Sequence, residues 1–420
     1  MGNRKNEDNL VSQTSQPNAW EIPLEDMDVS LPELFAADSF WPYFERLRKE
    51  DPVHYCANSE YGPYWSVTRY EDIMQVDTSH DVYSSEPGIT IRAMDEDFTL
   101  PMFIAMDQPR HSEQRAAVNP VVGSRNLPNF AELIRERTCG VLDSLPVGET
   151  FNWVDKVSIE LTTMMLATLF DFPFEERSKL TRWSDVATAI PGFGIVDTEE
   201  QRRAELIECL EYFTELWNQR VNGEPGNDMI SMLAHGEATR DMQPLEYLGN
   251  LVLLIVGGND TTRNSMTGGV LALNQFPAEY DKLRANPKLI PSMVSEVIRW
   301  QTPLAHMRRR ATVDTMLGGK HIKAGDKVVM WYVSGNRDES VFENPDQLII
   351  DRPQVRKHLS FGYGIHRCMG SHLAELQLRI LWEEIMQRFD RVEVMGEPVR
   401  IASSFVKGYS ELQVKLHPLR

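Results

Sequence analysis

Cysteine is scarce in this chain. There are 4 in 420 residues, at positions 56, 139, 209 and 368, and no two form a Cys-x-x-Cys pair. That spacing argues against a disulfide framework and a zinc cluster, and it fits a reducing compartment. Basic charge is also short. Lys and Arg number 43 against 62 Asp and Glu, a formal net charge of −19, which argues against nonspecific nucleic-acid binding. The longest apolar run, Leu251 to Val256, is far below the roughly 20 residues of a bilayer span. No apolar leader follows Met1, and Asn6 stands where an acylation motif needs Ser or Thr. The expectation is a cytoplasmic protein without a membrane span. A Gly-x-Gly-x-x-Gly dinucleotide fingerprint is missing too. What remains, 42% hydrophobic and 25% charged, is the composition of a globular chain.

The chemistry that is present gathers around Cys368. Glycines at 362, 364 and 370 let the backbone turn tightly and let a flat partner approach. From Ser371 the apolar residues Leu373, Leu376, Ile380, Ile385 and Phe389 recur with helical period. Cys368 therefore stands at or just before a helix N-terminus, where free N–H groups and the dipole favour thiolate. Taken alone, the cysteine is a core thiol, a metal ligand, or a nucleophile with His372 or His366 as base.

Two further stretches depart from ordinary patterns. Pro244 to Phe276 reads as one long helix, with Pro244 in its first turn and Pro277 ending it. Its middle holds Gly257-Gly258-Asn259-Asp260-Thr261-Thr262 directly after an apolar run. Adjacent glycines inside a helix cost about 1 kcal/mol each relative to alanine, a local conflict expected at a functional site. A threonine hydroxyl can bond the carbonyl four residues back and open the helix. The stretch is either a kinked core helix or a surface for a flat ring, with Asp260 beside the opened groove. His111 and Arg115 lie four apart at a helix start. They are either solvated or paired donors for a carboxylate or phosphate.

The pattern Phe-x-x-Gly-x-His-x-Cys-x-Gly, filled by Phe361, Gly364, His366, Cys368 and Gly370, resembles the haem-binding loop of the cytochrome P-450 monooxygenases. Gly-Gly-x-Asp-Thr-Thr at 257–262 resembles the oxygen-activation motif of that family. The resemblance runs from about Phe40 to the C-terminus. It implies a mainly α fold with small antiparallel sheets: a flexible arm over 1–38 and a single haem domain over 39–420. Haem b would lie between the long central helix and the cysteine-loop helix. Cys368 would be the axial thiolate, which favours O–O cleavage. Gly257, Gly370, Phe361 and His366 would lie around the cofactor. His111, Arg115 and Arg309 would hold its propionates, with Arg308 the other candidate in the Arg308-Arg309-Arg310 run. Thr261 would hydrogen-bond dioxygen and Asp260 would help deliver protons from water. Glu296, Arg299 and Arg352 would form a buried network on the proximal side, with Leu348 standing where the family usually has Phe. The same Glu-x-x-Arg spacing at Glu45/Arg48 and Glu199/Arg202 reads as solvated surface pairs.

For the reaction, the resemblance implies insertion of one oxygen atom of O2 into a C–H bond. The electrons would come from a ferredoxin and its NAD(P)H-dependent reductase. Arg110, Arg115, Arg356, Lys357 and Arg367 would form a basic docking patch. The substrate-side candidates Ile89, Ile91, Phe193, Leu254, Val256, Leu304, Ala305, Met307 and Phe405 are apolar, so the substrate should be apolar. Two stretches, 254–266 and 302–309, resemble the bacterial alkane terminal-hydroxylase branch. That implies attack on the terminal methyl of medium-chain alkanes, fatty acids or alcohols. A terpene or steroid hydroxylase is the alternative on the same fold. A haem sensor or a cysteine hydrolase would keep Cys368 without needing Asp260 and Thr261. The runs Ile401–Val406 and Leu412–Leu416 read as a C-terminal hairpin, and the resemblance implies that its tip, Ser403–Phe405, points at the pocket.

Overall fold

A computed structural model describes residues 18–92, 97–123 and 125–419. Its axis is the helix Pro244–Gln275, with Pro244 at its first turn and Pro277 opening the next helix. At 1.5 Å per residue, its 32 residues span about 48 Å. Almost all of its length is buried. It packs against Glu160–Phe170, Ser178–Thr188, Ile290–Gln301 and Ser371–Arg388. The fold is mainly helical, with small sheets at its margins.

The largest sheet has five strands, in the order Val53–Cys56, Tyr64–Val67, Lys327–Met330, Met307–Ala311, Tyr83–Ser84. Its pairings are antiparallel except that of Tyr64–Val67 with Lys327–Met330, which is parallel. The strand Met307–Ala311 runs through the three arginines from which Arg309, or else Arg308, was expected to hold a propionate. Arg308 and Arg309 are buried there, and Arg310 is exposed.

Two sequence expectations need correction. Residues 1–17 lie outside the described residues, but the rest of the supposed arm is folded. Met27, Val29, Leu34 and Phe35 are buried with Phe40, Phe44 and Trp331. The Phe35 and Phe40 rings stack at 4.4 Å and Phe44 meets Trp331 at 5.2 Å. Burying these apolar groups is what orders the segment. The C-terminal hairpin is also different. Val399–Arg400 pairs with Tyr409–Glu411, and Gln413–Pro418 pairs with Phe389–Val394 and Thr150–Asn152. Residues 401–406 form a loop, stitched to 303–305 by an isolated bridge between Leu304 and Val406 and by the Ala305 N–H on the Phe405 carbonyl. The four cysteines are free thiols. Among the described residues, no helix is long and apolar enough to cross a membrane.

Candidate functional site

A cavity of about 660 Å³ lies between the middle of the central helix and the cysteine loop. Gly257, Gly258 and Thr261 line it from the helix; Phe361, His366, Cys368 and Gly370 line it from the loop. Cys368 has accessible surface although burial dominates its electrostatics. That surface faces the cavity. The loop is held by the Cys368 N–H on the Phe361 carbonyl at 2.8 Å. Gly364 is at φ +66°, and a Cβ there would sit 2.6 Å from the Asp77 carbonyl oxygen, so no other residue fits without backbone movement. At Gly257 the case is the reverse. An added Cβ would meet nothing within 4 Å, because the helix surface there opens onto the cavity.

The helix Ser371–Arg388 begins three residues after Cys368. The N–H groups of Gly370 and Ser371 and the charges of Arg115 and Arg367 pull the thiol pKa down. From sequence, the free N–H groups and dipole of the helix end alone favour thiolate. Burial outweighs them and raises the thiol pKa. Coordination to a cation is what makes such a thiol a thiolate.

His111, Arg115, Arg309 and His366 line the same cavity. His366 accepts or donates to Ser85 Oγ at 2.9 Å and stacks on His111 at 4.0 Å, and its Nδ1 is buried without a partner. Burial and the surrounding cations push its pKa down to about 2. The two His111 nitrogens face the Phe103 and Ile365 carbonyls, and Arg115 donates to the Ile365 and Arg367 carbonyls. Both side chains thereby brace the cysteine loop. Arg309 donates to Asp77 Oδ1 at 2.9 Å. Asp77 also accepts from the Tyr332 hydroxyl at 2.9 Å and the Tyr363 N–H at 2.7 Å. A soft ligand, a glycine face across from it and a cluster of cations suit a flat, apolar, metal-bearing group with an anionic edge. The residues fit haem.

Thr261 Oγ donates to the Gly257 carbonyl, four residues back, at 3.0 Å. Asn264 and Ser265 side chains repeat that back-bonding to the Asp260 and Thr261 carbonyls. Asp260 does not stand in the groove. It is fully buried on the other flank, accepting from Ser184 Oγ at 3.0 Å and pairing with Arg263 at 2.9 Å. Thr188, which lines the cavity, reaches its Oδ2 at 3.4 Å. Burial raises the pKa of Asp260, and Arg263 opposes it.

Glu296, Arg299 and Arg352 meet in one buried network. Glu296 accepts from Arg299 at 2.7 and 2.8 Å and from Arg352 at 3.0 and 3.1 Å. Leu348 is buried nearby.

Ile89, Ile91, Leu254, Val256, Leu304, Met307 and Phe405 line the cavity. Two other candidates do not. Phe193 is 48% exposed on the connection after Pro191, and Ile190 lines the wall instead. Ala305 is fully buried on the far side, beside Trp331 and Val333.

Sequence reasoning missed His306, which lines the cavity. Its Nε2 accepts the Ile91 N–H at 3.0 Å and its Nδ1 donates to the Ser404 carbonyl at 2.7 Å. One buried imidazole thus ties together the Ile91 loop and the Phe405 loop. Burial lowers its pKa to about 4, so it stays neutral as both bonds require. A polar residue within Leu304–Met307 was the available signal. Asp77 and Thr188 had no comparable signal.

Residues 195–416 match the cytochrome P-450 family. The chain is 34% identical to linalool 8-monooxygenase of Pseudomonas putida, over 94% of this chain and 100% of that protein. It is 30% identical to a methyl-branched lipid omega-hydroxylase of Mycobacterium tuberculosis, covering 94% and 95%. The solved structure of CYP153D17 from Sphingomonas sp. PAMC 26605 superposes with a TM-score of 0.88 at 52% identity, over 93% of this chain and 98% of that one.

Proposed function

This chain belongs to the cytochrome P-450 family and is a haem b monooxygenase, and from that premise we propose that it hydroxylates the terminal carbon of medium-chain alkanes, fatty acids or alcohols. The haem, when bound, supplies the reduction of dioxygen, with two electrons and two protons, and the transfer of one oxygen atom to a C–H bond. Cys368 would ligate its iron, and Arg309, Arg115, His111 and His366 would face its propionates. Thr261 would offer its hydroxyl to an oxygen in the cavity. Asp260 would hold protons for that site behind Ser184 and Thr188.

The observation that carries the terminal reading is the wall beyond Thr261. Leu254, Val256, Leu304, Ile91 and Phe405 form one apolar surface, fixed by His306 on two sides. Internal C–H bonds are weaker than terminal ones, so geometry must overrule reactivity, and a braced wall can do so. The similarity to a methyl-branched lipid omega-hydroxylase supports the same reading. The linalool 8-monooxygenase relative favours a terpene hydroxylase as the second reading.

Electrons would come from a ferredoxin. Arg356, Lys357 and Arg367 are exposed on the cysteine-loop side, as is Arg110, which Glu246 partly neutralises. Two measurements test the proposal. The reduced, carbon monoxide-treated protein should show the strongly red-shifted Soret band of thiolate ligation, lost in Cys368→Ala. Turnover of decane, decanol and decanoate should give terminal products; oxidation only at internal carbons, or turnover of cyclic terpenes alone, rejects the reading.

A further inference from the structure

Apart from the cations beside the cysteine loop, the cavity carries charge at one further place. Tyr61, Arg92, Glu199 and Arg202 all line it. Arg92 donates to Glu199 Oε2 at 3.1 Å, and Arg202 donates to Glu199 Oε1 at 2.8 Å. One carboxylate therefore serves two guanidinium groups. Arg202 spends one more donor on the Ala187 carbonyl, and its Nε is buried without a partner. Glu60 holds the Tyr61 hydroxyl.

The end of the cavity is built rather than loose. Ile91, next to Arg92, has its N–H on His306 and its carbonyl on Lys327 Nζ. Lys327 also donates to the Tyr61 carbonyl, which joins the two segments at this end of the cavity. Lys327 feels the charge of Arg308, a buried arginine that has no acid partner among the described residues. At this end of the cavity Arg92 and Arg202 share Glu199.

We propose that Arg92 and Arg202 form a subsite for the carboxylate head of a linear alkanoate, which would lie with its tail along the apolar wall and its terminal methyl toward Cys368. The inference rests on the terminal-hydroxylation reading and selects the alkanoate from the classes that reading allows. A ligand carboxylate adds a second acid, which the two guanidinium groups lack among the described residues, and Arg presents it with parallel donors. A neutral alkane or alcohol gains nothing from these charges.

The test is binding to the haem-loaded protein. Decanoate and 1-decanol are titrated by Soret shift and by calorimetry, and the ratio of their affinities is the readout. Arg92→Gln should lower the decanoate-to-decanol ratio about tenfold, the scale of one lost charge-assisted contact. Arg92→Lys should retain part of it. Glu199→Gln should raise the ratio, because it frees both arginines. Added salt should shrink the decanoate preference in the parent protein. If the arginines only tie the loop to the helix, their loss weakens both ligands alike and the ratio stays fixed; that result overturns the subsite. Terminal products with an unmoved ratio would remove the subsite and leave the terminal reading intact. A ratio that moves as stated, with products at internal carbons, would keep the subsite and remove the terminal reading.

Discussion

Replacing Glu296 with Gln preserves shape and removes one buried charge. Glu296 and Arg299 are fully buried and Arg352 is 5% exposed. Both guanidinium groups bind the carboxylate, and the Ile349 N–H adds a bond at 2.9 Å. Neither arginine can turn to water. Arg299 also donates to the Asn336, Pro345 and Gln347 carbonyls. Arg352 also donates to the Glu343, Asn344 and Gln347 carbonyls. The variant would leave two cations in low dielectric without an acid and turn an amide N–H₂ toward them. Breaking a buried pair costs about 3–5 kcal/mol, a large part of a total stability of about 5–15 kcal/mol. We expect Glu296→Gln to lose about 4 kcal/mol, seen as a lower urea midpoint at unchanged slope by tryptophan fluorescence. The exposed Glu45→Gln, which loses only a pair with Lys49, should not move the midpoint measurably. A loss at Glu296 below about 1 kcal/mol, the range of surface pairs, would refute the argument that burial makes this network strong.

Three other outcomes follow from the same structure. Leu304→Ala, which cuts back a residue on the cavity wall, should move oxidation of a linear substrate inward from the terminal carbon, read by product chromatography; an unchanged product distribution counts against the wall as the source of selectivity. Raising salt should slow electron transfer from an acidic ferredoxin to Arg110, Arg356, Lys357 and Arg367 in stopped-flow reduction, and salt-independent rates would remove the patch. Lys407 is buried over the Trp41 and Trp300 rings, and burial lowers its pKa to about 7. An unfolded lysine titrates near 10.4, so between pH 7 and about 10 the unfolded chain binds more protons and this residue's contribution makes stability rise with pH; Lys407→Met should flatten that slope in urea titrations.

The parts of the site that were legible in the sequence are those where a single local geometry admits few residues. At Gly364 a side chain would run into the Asp77 carbonyl, and the cysteine must precede a helix, so spacing alone marks the loop. Gly257 and Thr261 are legible because they oppose the helix around them. The hidden parts depend on partners far away in the chain. Phe35 is ordered by Trp331 and Arg309 is fixed by Asp77, and neither partner is implied by neighbouring residues. The strand Met307–Ala311 was masked by three charges in a row, two of which are buried. Asp260 was expected beside the groove that Thr261 opens; successive helix residues lie about 100° apart, and Ser184 and Arg263 hold it buried on the flank of the helix.

One spacing shows why environment, not pattern, assigns chemistry here. Three of the chain's Glu-x-x-Arg pairs, 45/48, 199/202 and 296/299, differ in this way. In the first, the two residues part: Glu45 goes to Lys49, while Arg48 turns inward to Ser334 and Glu339. In the second, the pair forms at the end of the cavity, where a third charge, Arg92, joins it. In the third, the pair is sealed from water and captures Arg352. Helix geometry brings each pair within reach, but the worth of the pair follows from the dielectric around it. The same spacing gives two side chains that turn to other partners, a charged pair at one end of the cavity, or a buried three-residue network. The predictions for Glu45, Glu199 and Glu296 differ in size and sign for that reason, and measuring all three in one protein separates spacing from burial.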